Sequence, residues 1–443
     1  HQVVRRQRQM CIRDRRKTVL DGLGEAGSAY RAAIYENGFS SDRSTITKTA
    51  LLAFFSITKE YLEHTIKANK RSDNLYHAYN LMTVENDLEV SVSYLPEMLE
   101  GQVAVLSAGY LSSQEALAVL DGMKASALFR EDQYSYILYP NKELARFDEK
   151  NVISKTAVAQ SKLLTKLARD TNTQIINQDV AGKYHFNANF NNANSLNEAF
   201  EELPEVYLEL LEEESKLVLN IFEEVFNHKA FTGRSGTFFG YEGLGSIYWH
   251  MVSKLLLAVQ ENCLIAVENK ESDVLIGKLF DHYYEIQAGI GVHKSPELYG
   301  AFPTDPYSHT PGGKGAQQPG MTGQVKEDVL SRIGELGVFV RAGKIVFNPR
   351  LLRAAEFVST PKTFKYTAIS KEDKIIELAE GSLGFTYCQV PVVYKNTTLQ
   401  GVKVFYTDGS ITEIKALVLD EKVSKLIFER TGRVAKIEVA VKK

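Results

Sequence analysis

Apolar residues recur at steps of three and four positions through most of the chain between Arg16 and Glu356, which is the spacing of amphipathic helices. One such run covers residues 19–33 and ends at Gly38, and a longer run begins at Ser44. A glycine at the end of such a run interrupts the helical pattern. The spacing predicts about ten helices in this part of the chain.

Polar side chains mark where further helices begin. Ser112 and Glu115 have the spacing of a capping box, in which each side chain binds the backbone N–H of the other residue. Ser195 and Glu198 repeat this spacing. Pro204 is expected to restart the chain into a long helix, because proline fits the first helical turn. We expect the Glu-rich face of that helix to be solvated; its glutamates are Glu212, Glu213, Glu214, Glu223 and Glu224.

The pattern changes after Pro361, where short alternating or β-branched runs are separated by turn residues. Asp408-Gly409, between two such runs, is a strong signal for a hairpin turn. We expect residues 363–443 to form an antiparallel β-sandwich or a half-barrel. The predicted strands are Phe364–Ile369, Lys374–Ala379, Ser382–Tyr387, Val390–Lys395, Val402–Tyr406, Ile411–Leu417 and Ala435–Ala440. A further short strand is predicted at residues 343–347.

Five connections between the predicted helices are long and carry Tyr, Phe or His. Connections beyond about 12–15 residues are usually functional or disordered, and disordered segments are poor in aromatic residues. We therefore expect ordered, functional loops, and we expect the last four to converge on one rim of the helical region. The five loops are Asp73–Asn80, Arg130–Lys142, Asp179–Asn194, Phe231–Gly245 and Ala288–Gln324.

The first fifteen residues differ from the rest of the chain in composition. They read HQVVRRQRQMCIRDR, a basic segment without the apolar block of a signal peptide. The string resembles a translated sequencing-library adapter, and the alternative is a genuine basic tail. If it is an adapter, the natural N-terminus is missing, and we expect deletion of residues 1–15 to leave the melting temperature unchanged.

The bulk composition limits the classes of function. Of 443 residues, 44% are hydrophobic and 24% are charged, a normal globular balance. A formal net charge of -3 argues against a nucleic-acid binder that depends on a basic surface. No stretch reaches the ~20 consecutive apolar residues of a membrane span, so we expect a soluble protein without a membrane partner. Its compartment, cytoplasmic or periplasmic, stays open.

The cysteines and histidines show no metal-binding pattern. Cys11, Cys263 and Cys388 are far apart and odd in number, which gives neither a disulfide framework nor a metal-ligand spacing. The histidines are scattered along the chain. We expect no metal and no cofactor.

Two motifs carry a resemblance to a known family. Asp305-Pro306-Tyr307-Ser308, followed by Met321-Thr322-Gly323-Gln324 at the start of a helix, resembles the corresponding stretch of cellobiose-type phosphorylases. The order that follows is also similar, with a turn at Gly337, the segment GKIVFNP and then β-structure. The similarity covers roughly residues 288–394. Other blocks look like those of long bacterial proteins of the glycoside hydrolase and phosphorylase kind.

The resemblance implies an architecture and a place in a longer protein. It implies a mainly helical (α/α) toroid of the six-hairpin type over residues 16–362, incomplete if a preceding part supplies more hairpins, and a C-terminal β-sandwich over residues 363–443. The chain would be the C-terminal part of its protein and would lack an N-terminal β-domain. A Trp-Asn-Asp type segment, which carries the aspartate of these phosphorylases, is absent, so no catalytic aspartate is transferred to this chain.

Cleavage of a glycosidic bond needs a proton donor and a second group that activates or supplies the nucleophile, either a carboxylate or a bound phosphate. In helical toroids such groups lie on loops before the core helices, where helix N-termini favour anions. Glu242, among aromatic residues and glycines at a helix start, is the first candidate acid, and Asp305, in a proline-bracketed loop, is the second. Asp132 and Glu327 are the next acids. A helix cap for Glu242 and a turn for Asp305 are the structural alternatives.

Aromatic, amide and basic residues near these acids are candidates for substrate binding, because sugar sites combine ring faces with hydrogen-bonding groups. A role in packing or in a mobile surface loop is the alternative for each. The candidates are Arg234, Tyr241, Trp249, His250, Tyr136, His185, Asn187, Tyr307, His309, Lys314 and Gln318.

We therefore expect a carbohydrate-active enzyme that hydrolyses or phosphorolyses an oligosaccharide or polysaccharide, with inorganic phosphate as the second substrate in phosphorolysis. A polysaccharide lyase, using the Tyr-His-Phe-Asn segment at residues 184–187, is one alternative. A non-catalytic carbohydrate-binding or scaffold protein is the other.

Overall fold

The computed structural model describes residues 2–41, 43–140, 145–227, 247–292, 309–310 and 322–442, and it leaves the side chains of residues 2–14, 291–292, 309–310 and 322–325 undescribed. The chain divides into two compact units. The major unit comprises His1–Tyr139 and Ser246–Lys443, and the inserted unit comprises Pro140–Gly245.

The major unit begins with two long helices, as the helical periodicity predicts. Every residue of α2 has solvent-exposed surface and none is buried. Ser112 and Glu115 form the predicted capping box, with both reciprocal bonds present. The predicted tail is helical from Gln2 onward, and the side chains of residues 1–14 lie outside the described part, so the deletion test remains a prediction. The elements are α1 (Gln2–Asn37), α2 (Lys48–Ala68), β1 (Asn80–Val84), β2 (Val90–Tyr94), α3 (Leu99–Ser107), α4 (Ser113–Ala125), β3 (Phe129–Arg130) and β4 (Ser135–Tyr136).

In the described part of the inserted unit, four short helices, the long helix α9 and one hairpin pack around an aromatic core. The Phe186 and Phe222 rings meet edge to face with centroids 5.0 Å apart. Asn151 clamps the hairpin, since its side chain donates to Phe186 O and accepts from Phe186 N, each at 2.9 Å. The elements are α5 (Phe147–Lys150), α6 (Lys155–Gln160), α7 (Lys162–Arg169), β5 (Ile176–Gln178), β6 (Tyr184–Phe186), α8 (Ala193–Glu201) and α9 (Leu208–Phe226).

Two predictions about the helices of this unit need correction, one about the start of α8 and one about the exposed face of α9. Asn192, not Ser195, caps α8, because its side chain accepts from the backbone N–H groups of Asn194 and Ser195. The Glu-rich face of α9 is not entirely solvated, because Glu214 turns towards α7. Its Oε2 accepts from the Ser161 hydroxyl at 2.6 Å and from Leu163 N at 3.0 Å.

Glu214→Gln is expected to destabilise the inserted unit by about 1 kcal/mol, the usual value of a helix cap. Burial opposes ionisation of Glu214, but the bonds from Leu163 and Ser161 outweigh it and lower its pKa. The folded-state pKa lies below the unfolded value, so the contribution is complete above the ordinary glutamate range and is lost as pH falls through the folded-state pKa. Amide hydrogen exchange of α7, compared at neutral and acid pH, measures this contribution of Glu214 to stability. Glu212→Gln, at an exposed glutamate of the same helix, should leave exchange unchanged; equal effects of both variants would contradict the capping role.

Three helices form the centre of the major unit around a buried polar network. The Tyr283 hydroxyl donates to Glu335 Oε1 at 2.6 Å, and Gln260 Nε2 donates to the Tyr283 oxygen at 3.1 Å. Burial, together with the charge of Glu335, raises the pKa of Tyr283. The network therefore ties the helices together through polar side chains as well as apolar ones. The elements here are β7 (Ile247–Tyr248), α10 (Trp249–Glu268), α11 (Asp273–Gln287), β8 (His309–Thr310), α12 (Thr322–Glu335), β9 (Val338–Arg341) and β10 (Lys344–Phe347).

The C-terminal region is a mixed sheet with a hairpin beside it. All seven predicted strands are present within a few residues of their predicted ends, and Gly409, in the predicted hairpin turn, has φ +86. The elements are β11 (Lys362–Thr367), β12 (Asp373–Leu378), β13 (Ser382–Tyr387), β14 (Val390–Asn396), β15 (Gly401–Tyr406), β16 (Ile411–Ile414), α13 (Glu421–Phe428) and β17 (Val434–Val441).

The topology of this sheet differs from the expected fully antiparallel arrangement. The strand order is β13-β14-β17-β15-β16, and β14 and β17 pair in parallel. Parallel neighbours need a long crossover connection, and here the chain passes through β15, β16 and the unpredicted helix α13 before β17. The described structure is thus helical with a C-terminal multi-stranded sheet, which confirms the coarse fold class.

Candidate functional site at the start of two helices

Two of the predicted functional loops lead into one place in the major unit. Strand β7 directly follows residues 228–246. Strand β8 lies between residues 293–308 and residues 311–321. These two strands pair, with Ile247 opposite Thr310 and Tyr248 opposite His309. Helix α10 begins directly after β7. The pairing therefore brings the end of one long loop beside the middle of the other.

A histidine and a glutamate meet next to this strand pair. His250, in the first turn of α10, has its Nε2 3.2 Å from Oε1 of Glu327, which lies in α12. The Tyr248 hydroxyl lies 3.5 Å from Nδ1 of the same imidazole. The ring is therefore fixed from both sides, because a hydrogen bond at one ring nitrogen sets the tautomer and orientation of the other. We call Tyr248, His250 and Glu327 the helix-start cluster.

The glutamate and the histidine of this cluster differ in exposure. The Glu327 side chain is 4% exposed, whereas the His250 side chain is 23% exposed. Among the described residues, Glu327 Oε2 has no hydrogen-bond partner, although it is buried. A buried carboxylate oxygen without a partner is costly, which makes Glu327 a candidate for a functional role.

Two further ionisable residues, Lys326 and Asp328, lie next to Glu327 on α12. Lys326 Nζ lies 3.7 Å from Glu327 Oε1 and has a largely exposed side chain. Desolvation, together with the charge of Glu327, raises the pKa of the Asp328 carboxyl. A second negative charge beside Glu327 is therefore disfavoured unless a positively charged or hydrogen-bond-donating group lies next to it.

Trp249, which precedes His250, is 2% exposed and belongs to the core. Its ring therefore holds the start of α10 in place instead of presenting a face for a sugar. Tyr248 was not among the predicted residues. The adjacent aromatic run Tyr248-Trp249-His250 was the available signal, because alternate residues of a strand that enters a helix point to different sides.

Several predicted site residues lie outside the described part of the chain. These are Glu242, Asp305, Arg234, Tyr241, Tyr307, Lys314 and Gln318, and for His309 only the strand position is described. The carboxyl groups of Glu242 and Asp305 are expected to lie roughly 6–10 Å apart if an inverting hydrolysis uses both, and this distance stays a prediction. Of the two candidate acids that the structure describes, Asp132 and Glu327, it is Glu327 that lies beside a histidine.

Asp132 and Tyr136 lie together on the β3–β4 hairpin, in structural surroundings. Asp132 pairs with Arg130, with Oδ1 2.7 Å from Nε, and its side chain is half exposed. Tyr136 is buried, and burial raises its pKa. Its ring meets Phe129 edge to face at 5.3 Å. These contacts are those of a surface ion pair and a packed core residue.

His185 and Asn187 belong to the inserted unit and hold its hairpin. The His185 ring contacts the backbone oxygen of Asn151 and, through Nε2 at 3.2 Å, Asp179. The Asn187 amide donates to the backbone oxygens of Thr173 and Gln174. Both polar side chains are therefore already engaged by the fold around them.

Within the described residues, no group of three or more His, Cys, Asp or Glu side chains could hold a metal ion. Helix α10 is long and apolar enough to cross a membrane by composition, but most of it is buried against α3, α4, α11 and α12. A buried core helix passes the same test of length and hydropathy.

One segment of the chain matches a known family. Residues 144–229 match the family model of the GH149 phosphorylase insertion domain 2. The matched residues lie inside the inserted unit and make up well under half of the chain. No curated protein matches the chain. The match supports a protein of the glycoside hydrolase and phosphorylase kind.

Proposed function

We propose that this chain is part of a carbohydrate-active enzyme that cleaves glycosidic bonds, by phosphorolysis in preference to hydrolysis. The observation that carries the proposal is the similarity of residues 144–229 to an insertion domain of a GH149 phosphorylase. An insertion domain accompanies a catalytic domain, and the major unit surrounds the inserted one in sequence. We therefore assign the chemistry to the major unit.

The helix-start cluster is our choice for the site of this chemistry. Phosphorolysis needs a group that binds an anionic nucleophile, and the N-terminus of a helix of the length of α10 favours anions through its free N–H groups and its dipole. His250 lies in this first turn, and a protonated imidazole adds a positive donor. Glu327 orients the ring from its buried side. In this proposal phosphate takes the place of the Tyr248 hydroxyl at Nδ1 of His250, the longer of the two ring contacts at 3.5 Å, while Glu327 positions the ring through Nε2.

The two acids and the loop residues that lie outside the described part of the chain keep their predicted roles as part of the proposal. Glu242 would protonate the leaving oxygen, and Asp305 would serve as the base if the reaction is hydrolysis. In an inverting hydrolysis their carboxyl groups should lie roughly 6–10 Å apart, because a water molecule must fit between the sugar and the base. The remaining loop residues, including Arg234, Tyr307 and Lys314, would contact substrate.

The finer architecture belongs to the same proposal. The helices of the major unit up to residue 362 would form paired hairpins of an (α/α) toroid, and the inserted unit would stand apart from them. Residues 363–443 would form the C-terminal β-domain. The substrate would be an oligosaccharide or polysaccharide, with no nucleic-acid or membrane partner.

Product analysis separates this proposal from its alternatives. The chain is incubated with a library of neutral and uronate-containing glycans, with and without inorganic phosphate. We expect a sugar phosphate that forms only when phosphate is present. Reducing ends without phosphate dependence would favour hydrolysis. An absorbing unsaturated product would favour a lyase, and saturable binding without any product would favour a binding or scaffold protein.

A further inference from the structure

A cavity of about 350 Å³ lies in the major unit and shares no residue with the helix-start cluster. The end of α2, the helix α3 and the segment of residues 76–79 between them form its walls. Its volume falls within the ~300–1,000 Å³ range of small-molecule sites. Three separate segments of the chain meet here, so the tertiary fold forms the cavity.

The segment of residues 76–79 is held firmly against α3. The buried side chain of Gln102 accepts from Tyr76 N and donates to Tyr76 O, each at 2.9 Å. Gly101 allows the close approach of this segment, since a Cβ at Gly101 would lie 2.9 Å from the Cβ of Ala78. This wall of the cavity is therefore already ordered without a ligand, and a preorganised site loses less free energy to ordering when it binds.

Two aromatic rings and a carboxylate line the cavity with surface that a ligand can reach. Tyr79 is 41% exposed, and His77 and Glu100 are half-buried. The Tyr79 hydroxyl donates to Glu100 Oε2 at 3.0 Å, which orients the carboxylate. The His77 ring stacks on Tyr94, with ring centroids 4.3 Å apart. The rings and the carboxylate are thus held in place and accessible together.

Several polar hydrogens at this cavity are already used within the protein. The Thr65 hydroxyl donates to Tyr61 O at 2.8 Å. His77 Nδ1 lies 3.3 Å from Leu95 O, and because a carbonyl oxygen only accepts, this nitrogen carries the hydrogen. Nε2 of a neutral His77 ring is then an acceptor, and the Glu100 carboxylate also accepts. The lining therefore suits a ligand that donates hydrogen bonds.

The charge of the lining selects the sign of the ligand. Among the described residues that line the cavity, Glu100 is the one with a formal charge, and none is Lys or Arg. An anion such as phosphate is therefore repelled, and a cation is attracted. The face of an aromatic ring such as that of Tyr79 also attracts a cation.

We propose that this cavity binds a small polar molecule with a primary ammonium group, which donates to the Glu100 carboxylate while the rest of the molecule packs against the Tyr79 and His77 rings. An ammonium group has three hydrogens to donate and no acceptor, which matches a negatively charged lining of acceptors. The proposal goes beyond the proposed function and does not depend on the chemistry assigned to His250.

Saturation-transfer NMR on the full chain tests it with two matched probes, glucosamine, which carries an ammonium group, and glucose, which does not. Glu100→Gln keeps the shape of the side chain and an acceptor for Tyr79, and it removes the charge. We expect the wild type to bind glucosamine at least ~10-fold more tightly than glucose, and Glu100→Gln to lose this preference, because a charge-assisted hydrogen bond becomes a neutral one. Glu60→Gln, at an exposed carboxylate of α2 outside the cavity, should bind as the wild type does.

A preference for glucosamine that survives in Glu100→Gln would overturn the proposal, as would equal binding of the two probes, or no saturable binding of glucosamine, in the wild type. An equal loss in Glu60→Gln would also overturn it, because it would show only a general attraction to negative charge. If Glu100→Gln does not fold, Ala104→Met provides the comparison, since Ala104 lines the cavity and a larger side chain there should abolish saturable glucosamine binding. Unchanged binding in Ala104→Met would place the ligand elsewhere and contradict the proposal.

Discussion

Gly337→Ala is expected to destabilise the major unit by about 3 kcal/mol or more, the range in which backbone strain and steric overlap combine. Gly337 follows the last turn of α12 and has φ +70, a conformation that costs an alanine about 1–2 kcal/mol. A Cβ there would also lie 2.2 Å from the backbone carbon of Asn348. Asn348 cannot move aside easily, because its N–H donates to Gly337 O at 2.7 Å.

Gly343→Ala is the matched control. Gly343 has φ +74, but a Cβ there would have no neighbour within 4 Å. It therefore reports the cost of the left-handed conformation alone. Urea denaturation of both variants gives the difference in unfolding free energy, which isolates the steric overlap with Asn348. Equal destabilisation of the two variants would show that this close approach contributes nothing.

Glu327→Gln is expected to lower activity and to leave stability unchanged or higher. Gln keeps the shape and can still accept from His250, but it removes the negative charge. A hydrogen bond to a charged group contributes about 1.5–3 kcal/mol, so we expect kcat/KM for phosphate to fall about 10–100-fold. Stability should not fall, because a buried, partly unsatisfied carboxylate becomes a neutral amide.

Asp328→Asn is the control for this change, since it neutralises the next carboxylate on α12. Its raised pKa means that the charged form is disfavoured in the fold, so the amide should stabilise slightly. Turnover should not change. Steady-state kinetics and thermal melts of both variants provide the comparison. A parallel loss of stability and activity in Glu327→Gln would indicate a structural residue.

The sequence predicted elements well where local signals decide them. The strands from β11 to β17 alternate or carry β-branched residues, and turn residues separate them, so their positions follow from period and turn chemistry. Ser112 and Glu115 form their capping box because the two residues are three positions apart, so that only local backbone geometry is needed to bring them together. The cap of α8 was misassigned because the helix begins at Ala193, capped by Asn192, so that Ser195 already lies inside it. The spacing of Ser195 and Glu198 alone does not reveal this earlier start.

Long-range pairing escaped the sequence. His250 and Glu327 are 77 residues apart, and only the packing of α10 against α12 brings them together. Glu327 could be named as a candidate acid, but its partner could not. Likewise, the parallel pairing of β14 with β17 depends on a crossover that includes α13, and no local pattern near either strand encodes it. The same reason explains why the sequence did not separate the inserted unit from the helical region. The unit is defined by contacts between residues distant in sequence, and no local pattern marks its boundary.

The dependence of sugar phosphate formation on phosphate concentration tests the central claim most directly. Initial rates are measured for the wild type and for His250→Gln, which keeps a polar side chain but cannot carry a charge. If His250 binds phosphate, the KM for phosphate should rise at least ~10-fold, while the KM for the glycan stays within about 2-fold, because one charge-assisted hydrogen bond to the anion is lost. An unchanged KM for phosphate, with normal folding of the variant, would contradict the account.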